Sequence, residues 1–339
     1  MLTPDSAGPV RPLDLGALRE LALGAVAAPL LDGSASCLLL DLAACAAGAA
    51  DAELRAWLRA QPAPVIGVGR HDGSGLADAL DLCVERVGDA ERVVGNVARN
   101  PSAAACLVQV LRVTEKLPVL DALAVESFAY ATLQAGEEHR KWQCRPRAGT
   151  KTRHAAAPGE SPVRLARHGD SLEIVLDRPE RRNSMSAAMR DALCEAFDLV
   201  LMDESVRIAR VSGAGDCFSV GGELDEFGSA RDSADAHRIR SLRLPAALVA
   251  RDPQRFTFHL HRACVGAGIE LPSFASRVTA AKHTFFQLPE LGMGLIPGAG
   301  GCVGIPRRIG RQRTAWWVLS GRRIDAATAL AWGLVDAIV

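Results

Sequence analysis

The sequence carries no net charge: 39 Lys and Arg balance 39 Asp and Glu over 339 residues. Nucleic-acid binders usually carry a basic excess, so a polyanion-binding function is disfavoured, although local basic patches stay open. Lysine is scarce, with four (Lys116, Lys141, Lys151, Lys282) among 39 basic residues. Arginine-rich coding accounts for that, and no function is drawn from it. No apolar run approaches the roughly 20 residues of a membrane span. Met1–Val10 lacks a charged segment followed by an apolar core, so no secretory signal is expected. None of the nine cysteines stands in a C-x-x-C pair, and no His/Cys cluster has zinc spacing. Scattered reduced thiols in a cytoplasmic protein, with no metal, are the expectation.

What is present is a globular composition, 49% hydrophobic and 23% charged. The length suits one large domain or two ordinary ones. The basic, Pro/Gly/Ser-bearing stretch from Cys144 to Pro162 reads as a linker. Ahead of it, Cys37–Leu42, Val65–Gly69 and Leu82–Val87 are strand candidates, and Ala52–Ala60 is a helix candidate. Residues 91–142 then turn helical, with Ala104, Leu107, Val108, Leu111 and Val113 as an apolar face and Pro118 as a break. Behind the linker, Leu172–Leu176, Arg207–Val211 and Phe256–Val265 read as strands. Asn183 can cap a helix that buries Met185, Met189, Leu193, Phe197 and Val200. Ala234–Val249 is helical until Pro245, and a last helix carries Trp316 and Trp317.

Three segments carry chemistry. In Cys217–Phe227 (CFSVGGELDEF), Gly221 and Gly222 permit positive φ and close approach of a ligand to backbone N–H groups, just before a helix start. A plain strand-to-helix turn is the alternative. In Ala263–Leu271 (ACVGAGIEL), amides at Gly266–Gly268 can face an oxyanion with Glu270 one turn away; the alternative is close strand–helix packing. In Phe285–Gly301 (FFQLPELGMGLIPGAGG), Glu290 stands alone in a nearly uncharged run. A carboxylate in apolar surroundings must be paired, hydrogen-bonded or protonated, which is how a general acid/base is tuned; an exposed loop position is the alternative.

In order and wording these segments resemble the crotonase (enoyl-CoA hydratase/isomerase) superfamily, together with RPERRNSMS at 178–186 and LSGRRIDAATALAWGLVDAIV at 319–339. The resemblance covers about 163–339 and implies an α/β fold, the ClpP/crotonase-like ββα spiral core. It implies an enzyme acting on an acyl-CoA thioester, with coenzyme A as part of the substrate and no separate cofactor. The thioester carbonyl would sit between the N–H groups of Gly222 and Ala267, and Glu270 and Glu290 would act as the acid/base pair of a hydratase. Substrate-binding positions would be Gly221, Glu223, Leu224, Asp225, Gly266, Gly268, Pro297 and Gly298. Asn183 matches a position near the CoA adenine pocket. Related activities stay open: double-bond isomerisation, thioester hydrolysis, or a non-catalytic binding subunit. The resemblance also implies a homo-oligomer, trimer or hexamer.

Two features depart from the pattern. Arg262 stands where the family usually has Gly, and Arg does not easily take positive φ. His259 and His261 alternate on their strand, so both are candidates for the pocket or for plain packing. The family's usual C-terminal helical lobe does not follow Val339. Instead Arg99–Trp142 resembles that lobe, and residues 36–95 resemble a shortened core whose position matching Glu270 falls near Gly75. The expected organisation is therefore 1–95 as a degenerate crotonase-like region, 96–143 as the helical lobe, 144–162 as linker and 163–339 as the catalytic core.

Overall fold

The computed structural model describes residues 12–23, 36–45, 52–70, 75–145 and 161–339. The expectations for residues 1–10 and for most of the linker lie outside these.

The back half is built on strands whose alternate residues are buried. In β5 (Ser171–Leu176) Leu172, Ile174 and Leu176 point inward and Glu173 outward. β6 (Ile208–Gly213) repeats the pattern with Ala209 and Val211. With β4 (Val163–His168), β7 (Phe256–Leu260), β9 (Arg277–Ala280) and β12 (Ala337–Ile338) they form a six-stranded sheet ordered β12-β9-β7-β6-β5-β4. All pairs are parallel except the β4–β5 hairpin. The helix Ala187–Met202 covers it with Met189, Leu193, Phe197 and Val200, and Phe197 meets Phe256 edge-on at 5.1 Å between centroids.

Two sequence expectations change here. The cap of that helix is Ser186, whose side chain accepts from the Met189 N–H. Asn183 is fully buried at φ 52° instead. Its Oδ1 accepts from the Arg178 N–H at 2.9 Å, and its Nδ2 donates to the carbonyls of Ala214 and Cys217 at 2.8 and 3.0 Å. The side chain that capped nothing thus stitches the loop before the helix to the turn after β6. Second, Phe256–Val265 is not one strand. Arg262 takes φ 56°, and the chain leaves the large sheet there. β8 (Ala263–Val265) pairs instead with β10 (Phe285–Gln287), which pairs with β11 (Ile324–Asp325). Arg does adopt the left-handed turn, and its carbonyl accepts from the Phe285 N–H at 2.7 Å.

In the front half, β1 (Leu38–Asp41), β2 (Val65–Val68) and β3 (Leu82–Val84) form a parallel three-stranded sheet. β3 is shorter than the sequence suggested, because a helix already begins at Val87. One face packs Leu38, Leu40 and Val65 into a small core of its own. The other, with Leu39, Ile66 and Val84, belongs to the core of the back half. Helices Val87–Arg99, Pro101–Thr114, Val119–Gln134 and Glu137–Gln143 follow. Leu107, Val108 and Leu111 are buried as expected, whereas Val113 faces outward. These helices lie on the back half of the same chain. Thr114 Oγ1 donates to the Cys302 carbonyl at 3.0 Å and Asn96 Nδ2 to that of Leu319 at 2.8 Å. Buried Asp81 receives Arg112 at 2.9 Å and Arg311 at 3.2 Å, tying the front sheet to both. Removing one member of such a buried group costs about 3–5 kcal/mol.

Candidate active site

Two glycine turns meet first. Gly221 sits at φ 85°, and a Cβ there would lie 2.6 Å from the Val265 carbonyl oxygen and 3.6 Å from the Ala267 nitrogen. The turn after β6 and the turn after β8 are pressed together because neither carries a side chain at the contact. Gly222 and Ala267 are both on the wall of the same cavity, and among the described residues neither N–H has a hydrogen-bond acceptor. The Ala267 N–H opens the short helix Ala267–Glu270, which has no intrahelical acceptor for it.

The acids come next. Glu270 closes that short helix, and Glu290 opens the single turn Glu290–Met293 after β10. Both are buried and line the cavity, which encloses about 410 Å³. They converge on Gly266: a Cβ there would lie 2.6 Å from Glu290 Oε1 and 3.7 Å from Glu270 Oε1. Glu290 Oε2 is buried with no hydrogen-bond partner among the described residues. Glu270 Oε2 accepts from the N–H groups of Ala299 and Gly301 at 2.8 and 2.9 Å.

Environment separates the two. Burial pushes the Glu270 carboxyl up to about 7, opposed by its two amide donors. Burial pushes Glu290 well above the ordinary range, and the neighbouring Glu270 charge adds to it. Two buried carboxyls sharing one site do not readily ionise together, so one holds a proton while the other is a base.

A third carboxylate comes from the front half. Glu126, on Val119–Gln134, is buried and accepts from the N–H groups of Gly300 and Cys302, both at 2.7 Å. Glu270 and Glu126 thus take alternate amides of one turn, 299 and 301 against 300 and 302. Burial holds Glu126 well above the ordinary range, with Glu270 contributing. Tyr130 and Gln134, on the same helix, reach the cavity wall, and a Cβ on Gly298 would strike the Tyr130 ring at 2.1 Å. Glu126, Tyr130 and Gln134 are not among the sequence candidates. Their signal was present: Ala122, Leu123, Glu126 and Tyr130 repeat at helical spacing, which puts the charge on the apolar stripe.

Of the sequence candidates, Gly221, Gly222, Glu223, Leu224, Gly266, Ala267, Glu270, Glu290 and Gly298 line the cavity. Asp225, Gly268 and Pro297 do not. Asp225 is exposed and pairs with Arg181 at 2.9 Å. Gly268 lets the Ser219 carbonyl pass, and Pro297 packs on Gly301. The histidines also lie off the wall: His259 Nδ1 is 2.9 Å from Thr279 Oγ1, and His261 Nε2 is 3.0 Å from the Gly215 carbonyl. Among the described residues no group of three His, Cys, Asp or Glu is placed to hold a metal. No helix among them is long and apolar enough to cross a membrane.

A family model described as enoyl-CoA hydratase/isomerase matches residues 169–339, half of the chain. The chain belongs to that family. Its members act on acyl-CoA thioesters, and the mixed α/β core of the back half is the crotonase fold. One relative is the carnitinyl-CoA dehydratase of Salmonella arizonae, 33% identical over an alignment of 187 residues that covers 52% of this chain and 67% of that protein. Solved relatives include an enoyl-CoA hydratase from Thermoplasma volcanium, 30% identical over 53% of this chain and 72% of that one, with a TM-score of 0.48. Another is the enoyl-CoA hydratase of Bacillus anthracis, 28% identical over 52% and 70%, with a TM-score of 0.49.

Gly266 offers a test within this site. It has φ 50° and ψ −123°, a region closed to side chains, and its missing Cβ is where Glu290 Oε1 sits. Gly266→Ala is expected to strain the turn by about 1–3 kcal/mol. It is also expected to displace Glu290 enough to lower kcat roughly 10²-fold. Thermal melting and turnover of the same preparation check the two effects.

Proposed function

We propose that this protein adds water across the double bond of a 2-enoyl-CoA thioester, or removes it in reverse. The observation that carries the reading is the convergence of Glu270 and Glu290 on one cavity beside two unengaged N–H groups. The thioester carbonyl oxygen accepts from Gly222 and Ala267. Negative charge gathers on that oxygen as the enolate forms, so each fixed donor stabilises the transition state more than the ground state. Two amide donors favour the charged form of Glu270, whereas Glu290 Oε2 has no donor among the described residues, so Glu270 is the base and Glu290 the acid. Glu270 takes a proton from water as its oxygen bonds to C3, and the electron pair of the double bond moves into the thioester. Glu290 then delivers its proton to C2.

Isomerisation needs one carboxyl that reaches both C2 and C4, and Glu290, with an unpartnered oxygen, has that freedom. The experiment that separates them is product analysis of the full chain with matched 2-enoyl- and 3-enoyl-CoA substrates. A 3-hydroxyacyl-CoA, heavier by one water, is expected from the 2-enoyl substrate. A shifted double bond at unchanged mass, or release of free CoA, overturns the hydratase reading.

A further inference from the structure

Three arginines on the cavity wall are unused by the proposed hydration, and two of them are paired, Arg190 with Asp191 and Arg231 with Asp235. Arg240, half-buried on the helix Ser233–Leu242, lies over the Tyr130 ring at 4.5 Å. Its Nε donates to Ser127 Oγ at 3.1 Å, Nη1 to Gln134 Oε1 at 3.0 Å and Nη2 to the Ser127 carbonyl at 3.2 Å. All three acceptors are neutral. A guanidinium has five N–H donors, so two are left over. Arg240 makes no ion pair among the described residues. The acid on its own helix, Asp235, is taken by Arg231 and Arg238. The acid that acts on it from a distance, Glu126, spends both oxygens on backbone amides.

A charge drawn out of water needs a counter-ion, and none of the described residues supplies one. Burial lowers the Arg240 pKa, the direction expected of a cation short of a partner. The position is nevertheless fixed, by the stacked ring and three hydrogen bonds. A planar fork held rigid, with two free donors at a cavity wall, matches a carboxylate.

We propose that Arg240 receives a carboxylate on the acyl chain, so that the substrate is an acyl-CoA derived from a dicarboxylic acid. This rests on the acyl-CoA reading above and names the class of acyl group. The glutamates act at the thioester end, and Arg240 selects the other end.

The test is binding of unreactive thioesters to the full chain by calorimetry, which needs no turnover. Glutaryl-CoA and adipoyl-CoA are compared with pentanoyl-CoA and hexanoyl-CoA. A charge-assisted pair is worth enough to make at least one acidic thioester about 10-fold or more tighter than its neutral match. In Arg240→Gln that ratio is expected to fall to about one. In Arg240→Lys, which keeps the charge without the fork, it falls part of the way. Equal affinities in the unmodified protein, or a preference that survives Arg240→Gln, overturn the proposal. Hydration of crotonyl-CoA and of glutaconyl-CoA, a 2-enoyl thioester that ends in a carboxylate, is assayed beside it. A carboxylate preference without hydration sinks the reaction and leaves the selectivity; hydration without preference does the reverse.

Discussion

Glu270→Gln is expected to lower kcat for enoyl-CoA hydration by about 10²–10⁴-fold, and Glu290→Gln by a similar factor, since each removes one proton carrier. Gln at 270 keeps an oxygen for the Ala299 and Gly301 amides, so the fold should survive and the loss fall on chemistry. Stability gives an independent readout. The Glu270 carboxyl titrates near 7 in the folded protein, above its ordinary 4.5. The native state therefore binds a proton that the unfolded chain has already lost. Its contribution is fully present below about 4.5 and is lost as pH rises through about 7. Glu270→Gln should thus flatten the fall in Tm between pH 5 and pH 8. Rates near those of the unmodified protein in both variants, or an unchanged Tm profile in Glu270→Gln, would count against the assignment of the acid pair.

Removing the front half is expected to have a larger effect still. A fragment comprising 151–339 loses Glu126, and with it the acceptors of the buried Gly300 and Cys302 amides. Each unsatisfied buried donor costs about 1–3 kcal/mol. It also loses Tyr130 and Gln134 from the cavity wall, and it exposes core that now packs on Leu107, Val108 and Leu111. The expected result is insoluble or inactive protein. We propose on the same grounds that 96–143 acts as a helical lobe serving the core 163–339, and that it and the crotonase-like region 1–95 together are a degenerate second copy that kept the lobe and lost the chemistry. A soluble fragment that matches the full chain in turnover would refute this division.

The acid pair and the glycine turns were readable in the sequence because each is a local event. A glycine doublet, a G-x-G before a helix and one charge in an apolar run are each visible within a short stretch of sequence. The strands of the back half were readable for a similar reason, their alternation of buried and exposed side chains. Asn183 was misread as a cap because its partners, Ala214 and Cys217, lie beyond the helix it precedes. Arg262 hid a change of sheet, since the turn is stabilised by pairing with Phe285 rather than by a residue suited to positive φ. Arg240, and Glu126 despite its place on an apolar stripe, are hard to read for the opposite reason. A charge on a helix reads as solvated until another element covers it.

The turn at 299–302 is gripped by a residue made far earlier, since Glu126 and Gly300 are 174 positions apart. Contacts of that separation form slowly, because a long loop must close before they add stability. As the chain is synthesised, the helices 87–143 emerge before the back-half helices and turns they will pack against. Their apolar stripe and the Glu126 carboxylate must wait in solvent, a state that invites aggregation. The glutamate that holds the catalytic turn is therefore among the first parts of the site to be made, and the last to find its place.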